Sequence, residues 1–121
     1  MKFIIDLIED IREQIGNKEA YTLTGGLLKE DPSDSNKLIY IGESALNTYH
    51  IDKVKKQLIF EIDSSDSKIT VGELIPPLLI SDMETMMFEL RMNVNDQYSN
   101  MEIVGFGKND EEKRYILFIK I

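Results

Sequence analysis

The segment Tyr115-Ile-Leu-Phe-Ile-Lys-Ile121 narrows the fold more than any other stretch of this chain. Read as a strand, it places Tyr115, Leu117, Ile119 and Ile121 in one row and Ile116 and Phe118 in the other. Both rows are apolar. A strand that is apolar on both faces belongs in the middle of a sheet with cover on each side. One cover is expected from a helix at the start of the chain. The other is expected from a short helix, a loop or a second copy of the protein.

The N-terminal helix follows from spacing. Ile4, Leu7, Ile8, Ile11 and Ile15 recur at intervals of three and four, which puts them on one face. Asp6, Asp10 and Glu13 share another face. Gly16-Asn17 is a stop signal, because both residue types tolerate the left-handed conformation that ends helices.

The middle of the chain reads as strands. Residues 20–28 and 37–43 are rich in β-branched and aromatic side chains and flank a turn-forming stretch at 29–36, which predicts a hairpin. Residues 45–56 fit a helical turn or an irregular connection equally. Residues 57–63 form a further strand with Leu58, Phe60 and Ile62 on one face. Thr70-Val-Gly-Glu73 has the spacing of a capping box and opens a helix near residues 71–79, kept short by Pro76 and Pro77. That opening resembles one found in many small bacterial and phage proteins, and it implies no function.

Residues 83–94 carry two periodicities. Met83, Met86, Met87 and Leu90 fit a helix, whereas Met86, Phe88, Leu90, Met92 and Val94 fit a strand with Met87, Glu89, Arg91 and Asn93 on its reverse. The run of five alternating matches favours the strand. Residues 101–107 and 113–121 close the chain as two strands joined by a short polar turn, so they should pair antiparallel. The expected architecture is one α+β domain over residues 1–121: an N-terminal amphipathic helix on an antiparallel sheet of five or six strands. If residues 83–94 were helical instead, the order helix, three strands, helix, two strands would resemble the class I secretion chaperones. Those are small acidic dimers that usually close with a further helix, which this chain lacks.

Chemistry is constrained by what is scarce. The chain holds 22 Asp and Glu but one histidine, His50, and no cysteine or tryptophan. A triad or a structural zinc site needs more than one such group. Asp63, Ser65 and Ser67 alternate like the first ligands of a calcium loop, but Lys68 and Leu74 stand where that loop needs glycine and glutamate. Gly25-Gly26 and Gly105-Phe106-Gly107 lack the residues that complete phosphate or dinucleotide loops. The expectation is a protein without enzymatic activity, cofactor or metal.

Charge shapes the expected partners. The chain carries −8 at neutral pH, and residues 61–112 alone hold twelve acids against three bases. Such a field disfavours nucleic acid and anionic membrane. No apolar run approaches the length of a membrane-spanning helix, and acidic residues interrupt the first fifteen positions, so a cytoplasmic location is the expectation. The leading functional expectation is an acidic protein-binding domain, of inhibitor or immunity type, that masks a basic site on a partner protein. Asp6, Asp10, Glu13, Asp82, Glu84, Glu89, Asp96 and Glu102 are the candidate contact residues. A homodimeric chaperone or adaptor, and a structural subunit of a phage or secretion assembly, are the alternatives.

Overall fold

The protein is described from a computed structural model covering residues 1–16 and 19–121. Helix α1 spans Ile4–Gln14 and buries Ile4, Leu7, Ile8 and Ile11, the stripe set by their spacing. Asp6 Oδ2 accepts the Phe3 N–H at 2.8 Å and satisfies a free donor at the helix start. Gly16 sits at φ +61 just beyond the helix end, as a stop residue should; its neighbour Asn17 lies outside the described residues.

Seven strands follow among the described residues: β1 Thr22–Asp31, β2 Asp34–Ala45, β3 Thr48–Asp52, β4 Gln57–Ile62, β5 Glu89–Val94, β6 Tyr98–Asn109 and β7 Arg114–Lys120. They form one sheet in the order β2-β1-β7-β6-β5-β4-β3. The expected α+β class holds, but five or six antiparallel strands become seven in a mixed sheet. Two pairings are parallel, β1 with β7 and β4 with β5, and the others are antiparallel. The seventh strand is β3, in a stretch expected to be a helical turn or an irregular connection; pairing with β4 makes it a strand instead.

The sheet folds over on itself. Strand β6 pairs with β5 through its first half and with β7 through its second, and the register shifts between Ile103 and Gly105. A bulge bends a strand and increases its twist. The two halves then meet face to face: a Cβ at Gly25 of β1 would lie 2.9 Å from both Ile62 Cδ1 of β4 and Met92 Sδ of β5. Leu46 and Asn47 alone link β2 to β3, the two outermost strands. Leu46 N–H donates to the Leu23 carbonyl (3.0 Å) and Asn47 N–H to the Glu61 carbonyl (2.8 Å), so this link bridges β1 and β4.

Asn47 is 7% exposed and holds the loop after β4 with its side chain. Its Nδ2 donates to the Ser65 and Ser67 carbonyls at 3.0 and 2.8 Å, and its Oδ1 accepts the Asp63 N–H at 2.8 Å. The Asp-Ser stretch is thus an ordered turn with its backbone groups spent internally.

Helix α2, Val71–Leu79, starts as expected, with Thr70 Oγ1 accepting the Glu73 N–H at 3.2 Å. It runs through Pro76 and Pro77 and ends two residues later. Residues 83–94 divide between the two readings, with the strand, as favoured, carrying the core positions. Met83–Met86 form a single helical turn, α3, capped by Asp82, and β5 begins at Glu89. Leu90, Met92 and Val94 then face the core, with Glu89, Arg91 and Asn93 on the reverse.

Strand β7 is central, between β1 and β6, as its two apolar rows require. Tyr115, Leu117 and Ile119 are fully buried on the inner side, where the Tyr115 hydroxyl reaches Asp10 of α1. Helix α2 inserts Val71, Leu74 and Leu78 into this same core, so it is not the cover for the outer row.

Candidate binding surface

The outer row of β7 is covered sparingly. Ile116 is buried but Phe118 is only half-buried. The Phe118 ring lies across two glycines: a Cβ at Gly26 of β1 would sit 2.6 Å from Phe118 Cδ1, and one at Gly107 of β6 would sit 2.8 Å from Cε2. Any side chain at these two positions would displace the ring, so the glycines let it lie down on the sheet. Tyr40 of β2 meets it edge-on, with ring centroids 6.1 Å apart and planes at 80°. Two such aromatic rings prefer this arrangement to a face-to-face stack.

Strand β2 continues this apolar surface to the free edge of the sheet. Leu38, Ile39, Tyr40 and Ile41 are 48%, 40%, 49% and 47% exposed. Both faces of an edge strand are therefore apolar and wet at once. The register with β1 shifts between Leu27 and Leu28, opposite Gly42 and Tyr40, so Ile41 is an extra residue in the ladder. The Tyr40 hydroxyl bonds the Glu43 carboxylate. Burial and that carboxylate push the Tyr40 phenol up to about 12. Arg114 anchors this end of the surface, with Nε 2.9 Å from Glu43 and Nη1 3.1 Å from Glu112. At the other end Lys120 holds Glu30 at 2.7 Å. The patch is thus apolar in its middle and ion-paired at its ends.

The eight carboxylates picked out from sequence have different surroundings in the fold. Asp6 caps α1 and Asp10 accepts the Tyr115 hydroxyl at 2.5 Å. Asp82 caps α3 by accepting the Thr85 N–H at 2.8 Å, and that bond holds its carboxyl below the ordinary aspartate value. Glu89 pairs with Arg91 at 2.7 Å, Glu102 lies 3.6 Å from the N-terminal ammonium, and Glu84 lies 4.0 Å from Lys56. Glu13, late in α1, and Asp96, in the β5–β6 turn, are exposed. Most of the acids therefore act as caps or as partners of nearby groups, a distinction invisible to a count of charge along the chain.

The sheet's other outer face is polar. Glu61 accepts from Asn93 Nδ2 at 2.7 Å, and Asn100 bonds both Asn93 and Gln57. His50 Nδ1 stands 3.9 Å from Glu61, beyond hydrogen-bonding distance. Among the described residues, no group of three or more His, Cys, Asp or Glu is placed to hold a metal ion.

From sequence alone, residues 37–43 read only as half of a hairpin. The missed signal was Leu38-Ile-Tyr-Ile41 itself, four consecutive apolar residues where a half-buried strand would alternate. The fold and surface define a class no finer than a mixed-sheet α+β domain with an open apolar edge. Comparison with protein-family models, curated proteins and solved structures found no match to this chain. No helix among the described residues is long and apolar enough to cross a membrane.

Proposed function

We propose that this chain is a non-catalytic protein-binding domain whose docking element is the free edge of β2. The observation that carries this reading is the exposed run Leu38–Ile41 on a twelve-residue edge strand. Exposed sheet edges recruit extended segments through backbone hydrogen bonds, with alternate side chains supplying selectivity. Natural proteins normally blunt such edges with charge, proline or brevity. Edge β3 is blunted in this way: it has five residues, including His50 and Asp52. Between Leu38 and Ile41 strand β2 has neither charge nor proline, and its one irregularity is the extra residue Ile41.

The acidic-docking version, an inhibitor that masks a basic site, draws less support, because Asp6, Asp10, Asp82 and Glu89 are already engaged in caps and close pairs. A net charge of −8 still favours a basic partner at long range. Capture of partners from the native host, compared between wild type and the double variant Ile39→Lys/Ile41→Lys, separates the two versions. Edge docking predicts that the double variant keeps its fold and loses the partner. Retention by that variant, with loss on reversing Glu13 and Asp96 to lysine, would sink the edge reading in favour of acidic docking.

A further inference from the structure

The geometry of β2 points to its occupant: we propose that a second copy of this chain pairs with it, β2 antiparallel to β2, about a two-fold axis at Ile39. This rests on the reading of β2 as the docking element and commits it to one partner.

The backbone sets the register. Ile121 N–H donates to the Leu28 carbonyl at 2.8 Å, so Leu28 turns its polar groups toward β7. By alternation Lys29 turns toward β2, where its register partner is Ile39. Leu38 and Tyr40 therefore direct their N–H and C=O groups outward, into the free edge. Antiparallel pairing about Ile39 sets Leu38 opposite Tyr40 of the second copy, and Tyr40 opposite its Leu38. Both are hydrogen-bonded pairs. Ile39 meets Ile39 of the second copy in a non-hydrogen-bonded pair, where side chains approach most closely.

Side chains fit the same register. Residues directly opposite share a face, so Leu38 and Tyr40 of the two copies lie side by side. The Phe118–Tyr40 contact of each copy then becomes part of one apolar band running across both. Exposed apolar surface at the edge is covered without any change in the fold.

Charge selects this edge. Two copies at −8 repel, so contact is cheapest where the chain carries little negative charge. Between Ser35 and Gly42 the single charged residue is Lys37, which is positive. Opposite Ile41 of the second copy, it stands four residues along the strand from its counterpart. That is roughly 13 Å at the usual strand rise, beyond the ~8 Å screening length of physiological salt. An isologous pair uses up both β2 edges, and the short polar β3 edge offers no equivalent, so assembly stops at two.

The absence of cysteine from the chain makes the test direct. In an Ile39→Cys variant any disulfide must join two copies, and a Cα separation of about 4.5 Å falls within the range a disulfide spans. Wild type should sediment at twice 14.0 kDa. Ile39→Cys should oxidise to a covalent dimer, while Val54→Cys, at a position 94% exposed in the β3–β4 turn, should stay largely reduced. Ile39→Lys should be monomeric with unchanged circular dichroism and a thermal midpoint that, unlike that of wild type, does not depend on protein concentration. A monomeric wild type, a dimer that survives Ile39→Lys, or equal oxidation of the Val54→Cys control would overturn the proposal. If wild type is monomeric, a synthetic peptide copying residues 35–42 decides what else falls. Shifts of the Leu38 and Tyr40 amide resonances on adding it would preserve edge docking and remove only the second copy; no shift would remove both.

Discussion

The Tyr115 hydroxyl donates to Asp10 Oδ2 at 2.5 Å, tying the central strand of the sheet to the helix that covers its inner face. Tyr115 has no solvent exposure, and burial, reinforced by the Asp10 carboxylate, holds its phenol far above the ordinary tyrosine value. Removing the hydroxyl leaves a half-buried carboxylate without that partner. Tyr115→Phe should therefore lower stability by about 1–3 kcal/mol in urea unfolding at neutral pH.

The same contact predicts the sign of an alkaline effect. A phenol whose pKa is higher in the folded state keeps its proton while the unfolded chain loses one. Its stabilising contribution is complete below the unfolded value near pH 10 and is lost as pH rises beyond it. Tyr21 and Tyr40 are shifted upward too and act in the same direction. Wild type should lose stability steeply above about pH 10, and Tyr115→Phe should show a shallower slope there. An equally steep slope in the variant would show that Tyr115 does not govern the transition.

Asn47 holds three backbone groups of the loop after β4 from a buried position in the β2–β3 link. Asn47→Ala leaves the Ser65 and Ser67 carbonyls and the Asp63 N–H without these partners. At about 1 kcal/mol for each bond, a loss of roughly 2–4 kcal/mol is expected in thermal or urea unfolding. The Asp63 amide should lose protection from hydrogen exchange first, since its acceptor is the side chain itself.

Phe118 and Gly26 should behave as a coupled pair. Gly26→Ala puts a methyl group 2.6 Å from the ring and forces it off the sheet, whereas in a Phe118→Ala background that methyl still meets Ile116 Cγ2 at 2.9 Å but no longer the ring. Each single change should destabilise, and the double variant should lose less than the two together, with a coupling of about 1 kcal/mol or more. Simple additivity would mean that the ring and the glycine do not meet in solution.

Thr70 is a more local test. Its hydroxyl accepts the Glu73 N–H, so Thr70→Ala should cost about 1 kcal/mol while Thr70→Ser should cost little. Urea midpoints of the two variants check both expectations.

What could be read from the chain was whatever local periodicity encodes. The α1 stripe, the Thr70 cap, the first hairpin and the central place of β7 all follow from patterns within a dozen residues. Parallel pairing does not. Leu23 meets Tyr115 and Leu58 meets Leu90 across long stretches of chain, and nothing in either segment names its neighbour. Residues 83–94 divide between one helical turn and a strand, and the start of that turn is set by Asp82, whose side chain accepts the Thr85 N–H. Charge and hydrophobicity along the chain are silent on surroundings for a related reason. Acidic residues advertise themselves in a sequence, yet Asp6, Asp10 and Asp82 are occupied by hydrogen bonds that only the fold brings about. The apolar run at Leu38–Ile41 looked like core because hydrophobicity does not say which strand ends at an edge.

The position of β7 also orders events during synthesis. It joins β1 to β6, yet it is made after both, and each of those strands has β7 as one of its two neighbours. Until residues 114–120 emerge, the β1–β2 hairpin and the β3–β6 segment are separate fragments, each with an additional open border. A nascent chain must keep the β1 border apart from other chains from the completion of Asp31 until Arg114 is made, and the β6 border only briefly. The final strand then acts as the clasp that turns two adhesive halves into one domain.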